Sequence, residues 1–188
     1  MNIFKYHAIL LIVSLFLLPA AAAGSVDSMT LIAEGDARYM GFIKVYDAHL
    51  YAPDAKDQGR ILSPEVSKCL LLKYEVGLKP NDFVKGANMV LERQHPPERL
   101  ERLKTHVDAL HSAYRPVDKG DSYTLCYDAD TGLTTLNLNA EQLVAIQSEE
   151  FSEAYFGIWL SPNKPLSSAL QKQLVGSSAG PSRDGESR

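Results

Sequence analysis

The side chains best equipped for chemistry stand close together in "GDARYMGFIKVYDAHLYAP", Gly35 to Pro53. Arg38, Lys44, Tyr46, His49 and Tyr51 interrupt a run containing Phe42, Ile43, Val45 and Leu50. A guanidinium grips an anion with two prongs, an ammonium offers a point charge, and a phenol gives or takes a hydrogen bond. Read as one long strand, the segment alternates between two faces. Met40, Phe42, Lys44, Tyr46, Ala48 and Leu50 fall on one face, and Ile43, Val45, Asp47, His49 and Tyr51 on the other. Two accounts fit that mixture. In the first, the strand is core in its middle and wet at its ends, with Lys44 reaching out along its aliphatic stem. In the second, the strand lines a cavity in which a few polar groups orient a mostly apolar ligand.

Other chemistries have weaker claims. His106 and His111 are five positions apart on a helical stretch, about 140° from one another around the axis, which is poor chelating geometry. With His49 and His95 they form no ligand set, and the two cysteines lack metal spacing, so no metal or cofactor is expected. There is no G-x-S-x-G elbow, no C-x-x-C, no phosphate-cradling glycine loop and no dinucleotide fingerprint. Glu98, Glu101, Asp108, Glu149, Glu150 and Glu153 lie on solvated helix faces. With 188 residues, 45% hydrophobic and 22% charged, and a net charge of −4, the chain has the make-up of one globular domain. That charge argues against a nucleic-acid partner.

The elements that must position these residues can be read along the chain. Residues 1–23 resemble a signal peptide: a basic "MNIFKYH", an apolar "AILLIVSLFLL" too short to span a bilayer, and "PAAAAGS" with cleavage after Ala22 or Ala23. The folded domain is expected over residues 24–176, exported to the periplasm or secreted without a membrane span, with a disordered tail over 177–188. In an oxidising compartment Cys69 and Cys126 can pair; as buried strand residues they could equally remain small apolar side chains. A short strand and turn over 26–37 precede the long strand, and "KCLLLKYEV" reads as a strand covered on both faces. Helices follow in "PNDFVKGANMVLERQ", with Asn81 or Asp82 in capping position, and in "PPERLERLKTHVDALHSAY". "DSYTLCYD" and "LTTLNLN" make a hairpin around "ADTG". "AEQLVAIQ", "SEEFSEAYFGIWL" and "LSSALQKQLVG" are read as helical. That order predicts α+β architecture, an antiparallel sheet packed against helices.

Four segments in order carry a resemblance. "GDARYMGFIKVYDAHLYAP", "KCLLLKYEVGLKPNDFVKGA", "KGDSYTLCYDADTGLTTLNLN" and "SEEFSEAYFGIWLSPNKPLSSALQKQLVG" resemble the chalcone isomerase-like proteins, in particular their exported bacterial branch. The resemblance implies an open-faced β-sandwich with a ligand cleft between sheet and helices. Plant members isomerise chalcones to flavanones, other members bind fatty acids through an arginine, and others are catalytically silent partners.

By the same resemblance the cleft arginine of the plant enzyme corresponds to Arg38, and its strand threonine to Tyr46. Its catalytic tyrosine falls at Phe83, which has no hydroxyl, and its asparagine near Val90, with Asn88 two positions short. Its second threonine has no counterpart in "AEQLVAIQ". The expectation is therefore a non-catalytic binding protein for a fatty acid or similar amphipathic anion, with Arg38, Tyr46, Lys44 and Phe83 at the ligand. An isomerase or lyase acting on another small molecule, and a ligand-free module that binds a protein partner, are the alternatives.

Overall fold

The computed structural model describes residues 26–176. The expected signal peptide and the expected tail lie outside the described residues. Six strands form one antiparallel sheet in sequence order, each paired with the next. They are β1 (Thr30–Tyr39), β2 (Ile43–Ala52), β3 (Lys68–Tyr74), β4 (Ser122–Asp128), β5 (Leu133–Leu138) and β6 (Glu141–Gln147). Four helices complete the fold: α1 (Pro80–Gln94) and α2 (Pro97–Ala113) between β3 and β4, then α3 (Glu149–Leu160) and α4 (Ser168–Val175) after β6. This is the α+β architecture expected from the sequence.

The core lies between the sheet and α3. On β2, Tyr46, Ala48, Leu50 and Ala52 are buried at every second position, as one covered face requires. Helix α3 is apolar nearly all round, with Phe151, Ala154, Tyr155, Phe156, Ile158 and Leu160 buried, the pattern of a helix enclosed by others. It packs against α1, α2 and α4. Gln94 of α1 donates to the Gly157 carbonyl at 3.0 Å, and a Cβ at Gly157 would meet the Gln94 Oε1 at 3.4 Å, so the small residue permits the close approach.

Three expectations need correction. Gly35–Pro53 is not one strand but most of a hairpin, folded over at Met40 and Gly41. Both residues have positive φ (51° and 81°), and the Phe42 N–H donates to the Tyr39 carbonyl at 3.3 Å. Tyr39 to Phe42 thus form a tight β-turn with both central residues at positive φ, within a three-residue connection whose ends, Tyr39 and Ile43, pair. Second, the simple face alternation fails. Ala37 pairs with Tyr46 but Arg38 pairs with Lys44, leaving Val45 as an extra residue in the ladder. Such a bulge exchanges the faces beyond it. Third, "AEQLVAIQ" is largely β6, not helix. Its glutamate, glutamines and leucine favour helix locally, but Asn139 at φ 49° turns the chain back and the segment pairs with β5 as the edge strand of the sheet.

Cys69 and Cys126 face one another across β3 and β4 and form a disulfide, with Cα atoms 4.1 Å apart. The close approach of an antiparallel pair supplies the separation that sequence alone leaves open.

Candidate ligand-binding cavity

Between the inner face of the sheet and helices α1 and α3 lies a cavity of about 680 Å³. Leu70, Leu72, Leu125 and Leu136 line it from the sheet, and Ile158 from α3; all five are buried. Volume and apolar lining are those of a site for a small, largely apolar molecule. The exposed lining residues mark the mouth: Arg38, Tyr39 and Ile43 on the β1–β2 hairpin, with Asp82, Lys85, Met89 and Leu166 also at the rim.

The polar groups inside are phenols. Tyr46 is buried, and its oxygen accepts from the Trp159 indole N–H at 3.1 Å. An indole can only donate, so the Tyr46 proton is left to offer elsewhere. Tyr74 is 3% exposed, lines the cavity, and has no hydrogen bond from its hydroxyl to any described residue. Tyr114 and Tyr155 share one bond at 2.8 Å, which uses one of their two protons. Tyr123 is saturated, donating to the Arg115 carbonyl at 2.9 Å and accepting from the Arg115 N–H at 2.8 Å. Burial pushes Tyr46 up to about 12 and Tyr74 and Tyr155 well above the ordinary phenol value. At neutral pH these groups are neutral donors, not bases.

The four residues singled out by sequence have different fates. Arg38, Tyr46 and Phe83 line the cavity together. Arg38 is half exposed at the mouth, its Nε 2.6 Å from Asp36 Oδ2. Phe83 stacks on Tyr114 with ring centres 4.9 Å apart and meets Tyr123 edge-on at 5.4 Å. Lys44 does not line the cavity. Because of the bulge, Ile43 and Val45 join Tyr46 on the inner side, while the Lys44 ammonium pairs with Asp47 at 2.5 Å. Val90 is fully buried, and Asn88 lies on the exposed face of α1 in a surface groove with Met89 and Glu92.

Sequence reasoning missed Tyr74, Tyr114, Tyr123 and Tyr155 as cavity groups. Tyr123 and Tyr155 belong to the core and Tyr114 packs against it. The available signal was that a buried phenol still needs a partner for its hydroxyl, and this chain holds nine tyrosines, several at inward positions. Among the described residues no group of three or more histidine, cysteine or carboxylate side chains could hold a metal ion.

Comparison with known proteins gives a consistent picture. No curated protein matches the sequence. Among solved structures, the chain is similar to the crystal structure of a fatty-acid binding protein of Arabidopsis thaliana, with a TM-score of 0.59 at 14% identity. That match covers 79% of this chain and 87% of the other. At such identity the likeness establishes a shared fold. The family model described as chalcone isomerase-like matches residues 18–176, across every strand and helix described above, and the chain belongs to that family.

Proposed function

We propose that this protein is a non-catalytic carrier of a fatty acid or similar amphipathic anion, exported and working in the periplasm or outside the cell. One observation carries the reading: an apolar cavity with a guanidinium at its mouth, neutral phenol donors inside and no buried base among its described lining residues. The one carboxylate on its lining, Asp82, is exposed and accepts from the Lys79 N–H at 2.9 Å at the start of α1. The acyl chain would occupy the leucine-lined space. The head group would meet Arg38, with Tyr46 donating one further bond. The solved relative named as a fatty-acid binding protein supports this assignment, as does the Cys69–Cys126 bridge for an oxidising compartment.

Catalysis of the plant type needs a hydroxyl where this chain has Phe83 and a polar side chain where it has Val90. Naringenin chalcone should cyclise no faster with the protein than in buffer; saturable turnover would refute the non-catalytic reading. Native mass spectrometry of protein purified without detergent tests the carrier reading itself. A retained mass in the fatty-acid range is expected, and lipid-free protein that also fails to take up added palmitate would overturn it. Sequencing of the exported chain should find Ala23 or Gly24 first, and Met1 on periplasmic material would refute the assigned leader.

A further inference from the structure

The β1–β2 turn presents apolar side chains that the fold does not use. Tyr39, Met40, Phe42 and Ile43 are 64%, 71%, 68% and 42% exposed, in one unbroken stretch around Gly41. Single exposed apolar residues are ordinary; a contiguous cluster at a projecting turn is not. The backbone adds a second anomaly. Met40 sits at φ 51°, a conformation that glycine and asparagine adopt readily and that other side chains seldom do. A soluble hairpin would ordinarily place Asn-Gly here. This one accepts a strained methionine in the most exposed position, and a local rule broken without structural gain points to function.

The cluster is also continuous with the cavity. Tyr39 and Ile43 belong both to the exposed turn and to the cavity lining, and exposed Met89 and Leu166 lie elsewhere on that lining. Whatever covers the turn therefore sits at the cavity mouth. We infer that the Tyr39–Ile43 turn is a wedge that inserts into a lipid bilayer and sets the mouth against the hydrocarbon from which the ligand is drawn. The inference rests on the carrier reading for its purpose, though not for its physics.

A bilayer fits better than a folded partner for two reasons. So short a connection is narrow and convex, and it sets Tyr39, a residue type enriched where protein meets the membrane interface, beside the apolar Met40 and Phe42. The cations of the hairpin itself are also balanced: Arg38 stands against Asp36 and Lys44 against Asp47. Attraction must then come from apolar burial, so docking should persist on zwitterionic lipid and respond weakly to salt.

The test compares the exported protein, its leader removed, with its Met40→Ser/Phe42→Ser variant in flotation on phosphatidylcholine vesicles. Neither residue lines the cavity, and both are exposed, so the fold and palmitate affinity in solution should be unchanged. Partitioning of the variant should fall by about tenfold or more. A second measurement isolates the turn from any other segment that reaches lipid. Phe42→Trp on vesicles of brominated phosphatidylcholine should show quenching beyond that of the parent, whose single tryptophan is Trp159. Equal partitioning with no added quenching overturns the inference. So does a loss of self-association in the serine variant without loss of vesicle binding, which would make the turn a contact between copies. Normal docking by a protein that takes up no palmitate would sink the carrier reading and leave the wedge standing.

Discussion

In the proposed carrier Arg38 is the residue that meets the head group, and its environment sets how much it can contribute. It is half exposed and already paired with Asp36 at 2.6 Å, so an incoming carboxylate must compete with water and with that neighbour. Arg38→Ala should therefore weaken palmitate binding by about tenfold, near the lower end of what loss of a charged partner costs. Arg38→Lys should recover only part of this, because the planar fork is gone. Asp36→Asn should do the opposite, tightening binding a few-fold by releasing the guanidinium. Isothermal titration of the three variants decides the matter, and an unchanged Arg38→Ala would remove the head-group role.

Lys68 is a different kind of charged residue. It is fully buried, donates to the Ser63 and Val66 carbonyls at 3.0 and 3.1 Å, and lies 4.6 Å from the centre of the Tyr127 ring. Burial lowers it from 10.5 to about 8, although Glu153 pulls the other way. Below about pH 8 both folded and unfolded chains hold the proton, and the cost of burying the charge is complete. Between about 8 and 10.5 the folded state releases the proton first, so stability rises with pH, by roughly 3 kcal/mol over the full window. Denaturant titrations from pH 7 to 9.5 should show the parent gaining on Lys68→Met, whose side chain does not titrate. A constant difference across that range would show that the buried amine keeps its ordinary affinity for the proton.

At the scale of elements, the disulfide ties β3 to β4 across the insertion of α1 and α2, a separation of 57 residues. Closing so long a loop restricts the unfolded chain, so Cys69→Ala/Cys126→Ala should lose about 2–4 kcal/mol in a urea titration. A loss under about 1 kcal/mol would mean that the unfolded chain already holds these strands together. The sequence displayed some elements well and concealed others. Helix α1 was legible from the spacing of Phe83, Ala87, Val90 and Leu91, the last three of which the fold buries. Its start was not: the cap falls at Lys79 rather than at Asn81 or Asp82, with Pro80 opening the helix and Asp82 accepting from the Lys79 N–H. The β1–β2 turn was hidden because its residues are apolar: Met40 and Phe42 continue the look of a strand through a point where the chain reverses. Strand β6 was hidden because local helix formers were overridden by pairing with β5. Of the residues placed at the ligand, Arg38, Tyr46 and Phe83 line the cavity. Lys44 was misplaced because one unpaired residue in a ladder, Val45, leaves no mark in composition or spacing.

For the molecule as a whole, a sheet built from consecutive antiparallel neighbours leaves one face to be covered, and the helices cover it incompletely over the cavity. Phenols that the sequence presents as core residues thereby become the cavity's polar groups, with Arg38 at its mouth. Trp159 lines this cavity beside Tyr46 and reports on its contents. The most direct test is a titration of palmitate into the parent protein followed by Trp159 emission, run beside methyl palmitate, which has the same chain without the charge. The account predicts a saturable one-to-one response to palmitate and at least tenfold weaker binding of the ester, since the ester cannot pair with Arg38. No saturable response, or equal affinity for acid and ester, would contradict a cavity that holds an amphipathic anion by its head group.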